Sequence, residues 1–268
     1  MKKLGIILGV LAVVALFSPA AQAMLVKVND VVVFQDSYED GTLGELPAAD
    51  DPQIGTWVEL PANTYSISDN DPKYGAQCLA QVGSGRTRLG SPSLGAVDGD
   101  TVAFEFAIKS NTEWPVLVLR DTFNEGEYPA GMGSLIFTGN EPYSWGGGGW
   151  SDAGAVFMQV ESPYNVGNGM VWTNAHTVGE WNEIVATHVV GTRTLSVSVN
   201  GGAAHDFTLL NQGVYNAGTQ YEYTAESLDF FHIRNGSNYT DAYWDAIPEP
   251  ATLSLLALGG LALIRRKR

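Results

Sequence analysis

From Met24 to Ile247 apolar residues recur at every second position, and a helical spacing of three to four is hard to find. In TVAFEFAIK (101–109), Val102, Phe104, Phe106 and Ile108 fall on one side and Glu105 on the other. Successive strand side chains point to opposite faces, so this run reads as an antiparallel strand with one face in a core and one toward water. Comparable runs are VKVNDVVVF, GTWVEL, TYSIS, AQCLAQV, WPVLVLR, GSLIF, AVFMQV, GMVWT, NEIVATHVV, TLSVSVN, AHDFTLL and LDFFHIR. Clusters of Gly, Pro, Asn and Asp separate them at short intervals, and about thirteen such strands predict two stacked sheets. In TLSVSVNGGAAHDFTL the dipeptide Asn200–Gly201 tolerates the positive φ of a primed turn, so a hairpin is expected there. No repeat of fixed period and no interdomain linker interrupts the pattern.

The two ends break this alternation. Lys2 and Lys3 precede an uncharged run from Leu4 to about Phe17, followed by Pro19 and AAQA ending at Ala23. A basic start, an apolar middle and an Ala-x-Ala site predict a secretory signal peptide over residues 1–23. At the other end, AIPEPATLSLLALGGLALIRRKR carries Pro248, Glu249 and Pro250, an uncharged run from Ala251 to Ile264, and four cations, Arg265, Arg266, Lys267 and Arg268. As a helix the run would reach about 21 Å, short of the roughly 30 Å hydrocarbon core. The cations hold its end on the cytoplasmic side, and the prolines keep the triplet extended.

This order of parts resembles the PEP-CTERM sorting signal. The resemblance implies that Pro248, Glu249 and Pro250 are the sorting motif of residues 248–268. It also implies an exosortase partner, an intramembrane transpeptidase-like enzyme of Gram-negative bacteria that make extracellular polymer. The C-terminal helix would then sit only transiently in the inner membrane before the protein reaches the cell surface or extracellular matrix.

Composition narrows the class of partner. The chain holds 14 Lys and Arg against 29 Asp and Glu; without the six cations and one glutamate of the two end segments, residues 24–247 keep 8 against 28, a net charge of −20. Nucleic acid and anionic lipid demand basic patches, so neither is an expected partner. A domain of this length buries a real core. Cys78 is the only cysteine, which excludes an internal disulfide, and its apolar neighbours predict an inert buried thiol.

Three segments of residues 24–247 resemble the concanavalin A-like, laminin-G-like jelly roll: FQDSYEDGTLGELP (34–47), GEWNEIVATHVVGTRTLSVSVNGG (179–202) and LDFFHIRNGSNYTDAYWDAI (228–247). The resemblance implies an all-β, two-sheet antiparallel sandwich in which Trp181 opens a strand beside the one ending at the Asn-Gly turn. It also implies that the last strand returns next to the first. That return would bring Asp36, Glu39 and Asp40 toward Asp241 and Asp245, and Asp36, Glu39 and Asp245 are the expected ligands of a structural calcium ion, which takes six to eight oxygens.

Catalytic signatures are missing: there is no Gly-x-Ser-x-Gly, His-Glu-x-x-His or phosphate loop, and none of the alternating Glu-x-Asp-x-Glu that would align carboxylates on one strand face. His176, His188, His205 and His232 lie scattered. NEPYSWGGGGWSD instead offers Tyr143, Trp145 and Trp150 around four glycines, with Tyr164 nearby and Asn140 and Asp152 as hydroxyl partners. Flat aromatics on a polar loop suit sugar rings. The expected function is therefore a non-catalytic module that binds or organises extracellular polysaccharide. The alternatives are a polysaccharide-degrading hydrolase or lyase on the same fold, and a purely structural matrix protein.

Overall fold

The computed structural model describes residues 22–39, 41–43, 45, 57–59, 65–81, 88–90, 94–111, 115–120, 133–139, 143–145, 148–150, 153–159, 170–192, 194–208, 212–214, 220–222, 227–228, 230–235, 242–245 and 247–248. Residues 1–21 of the expected leader and residues 249–268 of the tail lie outside this set. Among the described residues every regular element is a strand and every strand pair is antiparallel.

Two sheets form the body. The ten-stranded one runs from His205–Thr208 through Thr194–Val199, Trp181–Val189, Thr101–Ser110, Ala242–Asp245 and Cys78–Gln81 to Tyr65–Ser68, with Gln22–Val28, Val31–Asp36 and Ile247–Pro248 joined along one side. The seven-stranded one runs Met170–Trp172, Val156–Gln159, Gly133–Phe137, Pro115–Arg120, Phe230–Asn235, Arg88–Gly90, Val58–Glu59. Trp181–Val189 lies beside the strand that ends at the Asn200–Gly201 turn, and both turn residues have positive φ, 51° and 68°. The last strand does return to the first: Ala23 pairs with Ile247 and Gln22 with Pro248.

The core follows from the alternation. Val102, Phe104, Phe106 and Ile108 are fully buried between the sheets, and Phe34 and Trp244 join them from the same sheet. Leu117, Leu119, Phe137, Phe231 and Ile233 close the core from the opposite sheet. Phe231 stands 5.4 Å from both Phe34 and Phe104, edge to face, so the two layers interdigitate through aromatic rings.

Three local readings change. VKVNDVVVF is a hairpin, because Asn29 and Asp30 both adopt positive φ, 50° and 64°, in a two-residue turn. The first strand begins two residues before the expected leader boundary at Met24, and the last includes Pro248 of the sorting motif. Ala107 breaks the alternation on its strand: it lies on the outer face yet is fully buried, because residues 69–77 cross over it.

Candidate functional site

The glycine-rich segment expected as a loop forms a ribbon. Tyr143–Trp145 pairs with Gly148–Trp150 in the register Tyr143 opposite Trp150, Ser144 opposite Gly149 and Trp145 opposite Gly148. Side chains two apart share a face, as do directly opposed positions, so this register assigns positions 143, 145 and 150 to the same face of the ribbon. Tyr164, Asn140 and Asp152 lie outside the described residues.

The ribbon is the excursion between two paired strands, Gly133–Phe137 and Val156–Gln159, and its root is tightly bonded. Thr138 N–H donates to the Ala155 carbonyl at 2.9 Å, and Ala155 N–H donates to Thr138 Oγ1 at 2.8 Å. Gly154 has φ +73°, and a Cβ there would meet the His176 carbonyl oxygen at 2.3 Å, so only glycine fits. His176 N–H donates to the Gly154 carbonyl at 3.0 Å, and its ring packs edge-on against Phe137 at 6.1 Å.

The His176 ring is itself buried, and burial lowers its pKa from 6.5 to about 4. A folded value below the ordinary one means that the neutral ring is favoured. Its contribution is complete above about pH 6.5 and is lost as pH falls toward 4. Between pH 7 and pH 4.5 this single group is expected to remove about 2 to 3 kcal/mol of stability. Chemical denaturation of wild type and His176→Leu at both pH values checks it: the variant should lose that much less on acidification.

The acidic residues expected to hold calcium accept hydrogen bonds from nearby N–H donors. Asp36 Oδ1 accepts from Tyr38 N–H at 2.8 Å, and its other oxygen accepts from the Trp57 indole. Glu39 accepts from Ala76 N–H at 2.9 Å and Gln77 N–H at 3.0 Å. Asp245 Oδ2 accepts from Lys73 N–H at 2.6 Å and Tyr74 N–H at 3.1 Å. A cation bound there would share these carboxylates with N–H dipoles that already point their positive ends at them. Among the described residues no three His, Cys, Asp or Glu side chains stand close enough to share a metal. Asp40 and Asp241 lie outside the described residues.

Glu39 and Asp245 thereby pin residues 69–77 across the outer face of the larger sheet. Glu183 receives Lys73 Nζ at 2.9 Å and the Tyr74 hydroxyl. Lys109 pairs with Asp71, Trp181 Nε1 donates to the Asp71 carbonyl at 3.0 Å, and Asn70 Nδ2 donates to the Tyr243 hydroxyl at 3.0 Å. Burial works to raise the Glu183 carboxyl, but the Tyr74 and Lys73 donors outweigh it and hold its pKa below the ordinary value. Burial, then the bond to Glu183, pushes the Tyr74 phenol up. Sequence reasoning missed this strap; its one local signal is the turn-rich DNDPKYG, which does not announce a partner 110 residues away.

The remaining candidates are structural. Cys78 is buried, and burial followed by the nearby Asp245, Asp71 and Asp69 charges pushes its thiol up to about 12, so it stays protonated. His188 is buried with Nδ1 3.0 Å from the Thr194 carbonyl, and burial lowers its pKa. His205 stacks on Trp172 at 5.0 Å, joining the edges of the two sheets.

Residues 246–268 match the family model of the PEP-CTERM protein-sorting motif. The motif marks an exported chain that passes transiently through the membrane on its way to the cell surface or extracellular space. No curated protein matches the sequence significantly. Among solved structures, the Caenorhabditis elegans galectin LEC-6 is 12% identical and aligns over 60% of this chain and 91% of its own, with a TM-score of 0.36. A toad ovary galectin in complex with thio-digalactose is 8% identical over 58% of this chain and 97% of its own, at 0.38. The catalytic domain of a GH131 beta-glucanase from Podospora anserina is 11% identical over 69% and 77%, at 0.39.

Proposed function

We propose that this is an exosortase-sorted surface protein whose β-sandwich holds extracellular polysaccharide on the aromatic face of the 143–150 ribbon. The observation that carries the reading is the ribbon's register, which gathers positions 143, 145 and 150 on one face. Three aromatic positions side by side match a short run of sugar rings, whose apolar faces stack on flat side chains. The net charge of −20 directs this preference to neutral or cationic glycan, since an anionic polymer would be repelled. The bonded root at Thr138, Gly154 and Ala155 supplies a firm base for the ribbon, as a binding surface requires.

The test is retention of the purified protein on extracellular polysaccharide. Trp145→Ala and Trp150→Ala are each expected to weaken retention by about 30-fold, as aromatic hot spots do. Their stability should move by no more than about 0.5 kcal/mol, as for a surface substitution. Collapse of stability with retention unchanged would refute the reading. Release of oligosaccharide products by the wild-type protein would move the function to a hydrolase or lyase.

A further inference from the structure

The strap over the larger sheet carries an Asp–Pro peptide bond, Asp71–Pro72, in unusual surroundings. Asp71 has φ +60°, in the left-handed region, whereas a residue before proline is driven toward extended backbone. Such a conformation is strained and persists only where neighbouring contacts impose it. Those contacts come from a cross-strand row of the sheet beneath, Trp181 opposite Lys109 and Lys109 opposite Tyr243. Trp181 Nε1 donates to the Asp71 carbonyl at 3.0 Å, the Lys109 ammonium pairs with the Asp71 carboxylate, and Asn70 Nδ2 donates to the Tyr243 hydroxyl at 3.0 Å. On the other side of the bond, Asp245 holds the Lys73 and Tyr74 N–H groups. The Asp71–Pro72 link is therefore clamped from both sides. The Asp71 side chain is still 54% exposed, so water reaches it.

We propose that the folded domain cleaves its own chain between Asp71 and Pro72, with the Asp71 carboxylate as nucleophile. A carboxylate is a nucleophile that enzymes use, and this one closes a five-membered ring when an oxygen attacks its own main-chain carbonyl carbon. The negative charge passes to the carbonyl oxygen, where the Trp181 N–H already stands as an oxyanion donor. As that charge returns, the carbon–nitrogen bond breaks, the Pro72 nitrogen takes a proton from water, and Asp71 becomes a cyclic anhydride. The hydroxide left behind opens the anhydride. Asp71 ends with two carboxyl groups and Pro72 with a secondary amine; one water is consumed and nothing is oxidised or reduced. Trp181 lies 110 residues from Asp71 and Lys109 lies 38 away, so only the folded chain assembles the site. The two pieces stay in one body, because Tyr65–Ser68 before the cut pairs with Cys78–Gln81 after it. The cut opens the strap without dividing the sandwich.

The purified full chain is incubated at neutral pH, folded and in urea, and followed by intact mass and N-terminal sequencing. The folded protein should yield two pieces whose masses sum to that of the chain plus one water, the second beginning Pro72–Lys73–Tyr74. The unfolded chain has the same bond without its partners. Cleavage in the folded protein should be faster by about 100-fold or more, the factor that an oxyanion donor supplies, and independent of protein concentration. Asp71→Asn keeps a residue that tolerates positive φ but removes the carboxylate, so it should stay intact. Trp181→Phe keeps an aromatic ring and removes the N–H, and should slow cleavage by about 100-fold. Circular dichroism establishes that both variants are folded. Equal rates in folded and unfolded protein overturn the proposal, as does a rate that climbs with concentration. Cleavage of either variant at the wild-type rate overturns it too.

Discussion

Phe231→Ala should lower the stability of the domain by about 3 to 5 kcal/mol, the usual cost of emptying an aromatic site in a packed core. Phe231 has no exposed surface and is the residue of the seven-stranded sheet that meets Phe34 and Phe104 of the other layer, each at 5.4 Å, with Trp57 at 6.1 Å. Rings in edge-to-face contact collapse poorly around a void when Phe34, Phe104 and Phe231 are each held by a separate strand. The loss is a large share of a total of about 5 to 15 kcal/mol. Phe231→Leu keeps most of the volume and should cost under about 1.5 kcal/mol. Denaturant midpoints for the three proteins measure this, with an unchanged slope showing that stability rather than compactness has changed. A shift for Phe231→Ala as small as that for Phe231→Leu would mean that the sheets do not pack through this residue.

Asp245→Ala should cost about 3 kcal/mol and free the strap over residues 69–77. Its carboxylate is buried and accepts from two main-chain N–H groups, Lys73 at 2.6 Å and Tyr74 at 3.1 Å. Hydrogen bonds to a charged group contribute about 1.5 to 3 kcal/mol each, partly recovered here because water reaches a half-buried strap. Asp245→Asn retains an acceptor oxygen and should lose about 1 kcal/mol. Thermal unfolding gives the magnitude, and amide exchange at Tyr74 locates it. Faster exchange at Tyr74 in Asp245→Ala, with the Phe104 and Phe106 amides still protected, is the expected pattern; a uniform loss of protection would show instead that Asp245 supports the whole sandwich.

Much of this protein was legible because its code is local. The 101–110 strand needed only its own alternation, and the Asn200–Gly201 turn needed only two residues that accept positive φ, now seen at 51° and 68°. The C-terminal motif likewise carries its apolar run, prolines and cations within 23 residues, all matched as one sorting signal. Asn29–Asp30 shows where local reading slips: the same chemistry as Asn-Gly was present, but the β-branched residues on either side masked the turn. The aromatic positions of the 143–150 segment were visible as a composition, while their common face depends on which residue pairs with which, a matter of register.

The sequence alone determined the all-β class, the inward face of its main strands and the sorting motif at residues 246–268, because each is written in neighbouring residues. Tertiary structure decided the fate of the acidic residues. Asp36, Glu39 and Asp245 accept from main-chain N–H groups that folding sets beside them. It also buried Ala107 on an outward-facing position, tied Lys73 to Glu183, and joined Ala23 to Ile247. Each of these joins residues far apart in the chain, and no periodicity within a strand specifies a partner that only the closing of two sheets brings within reach.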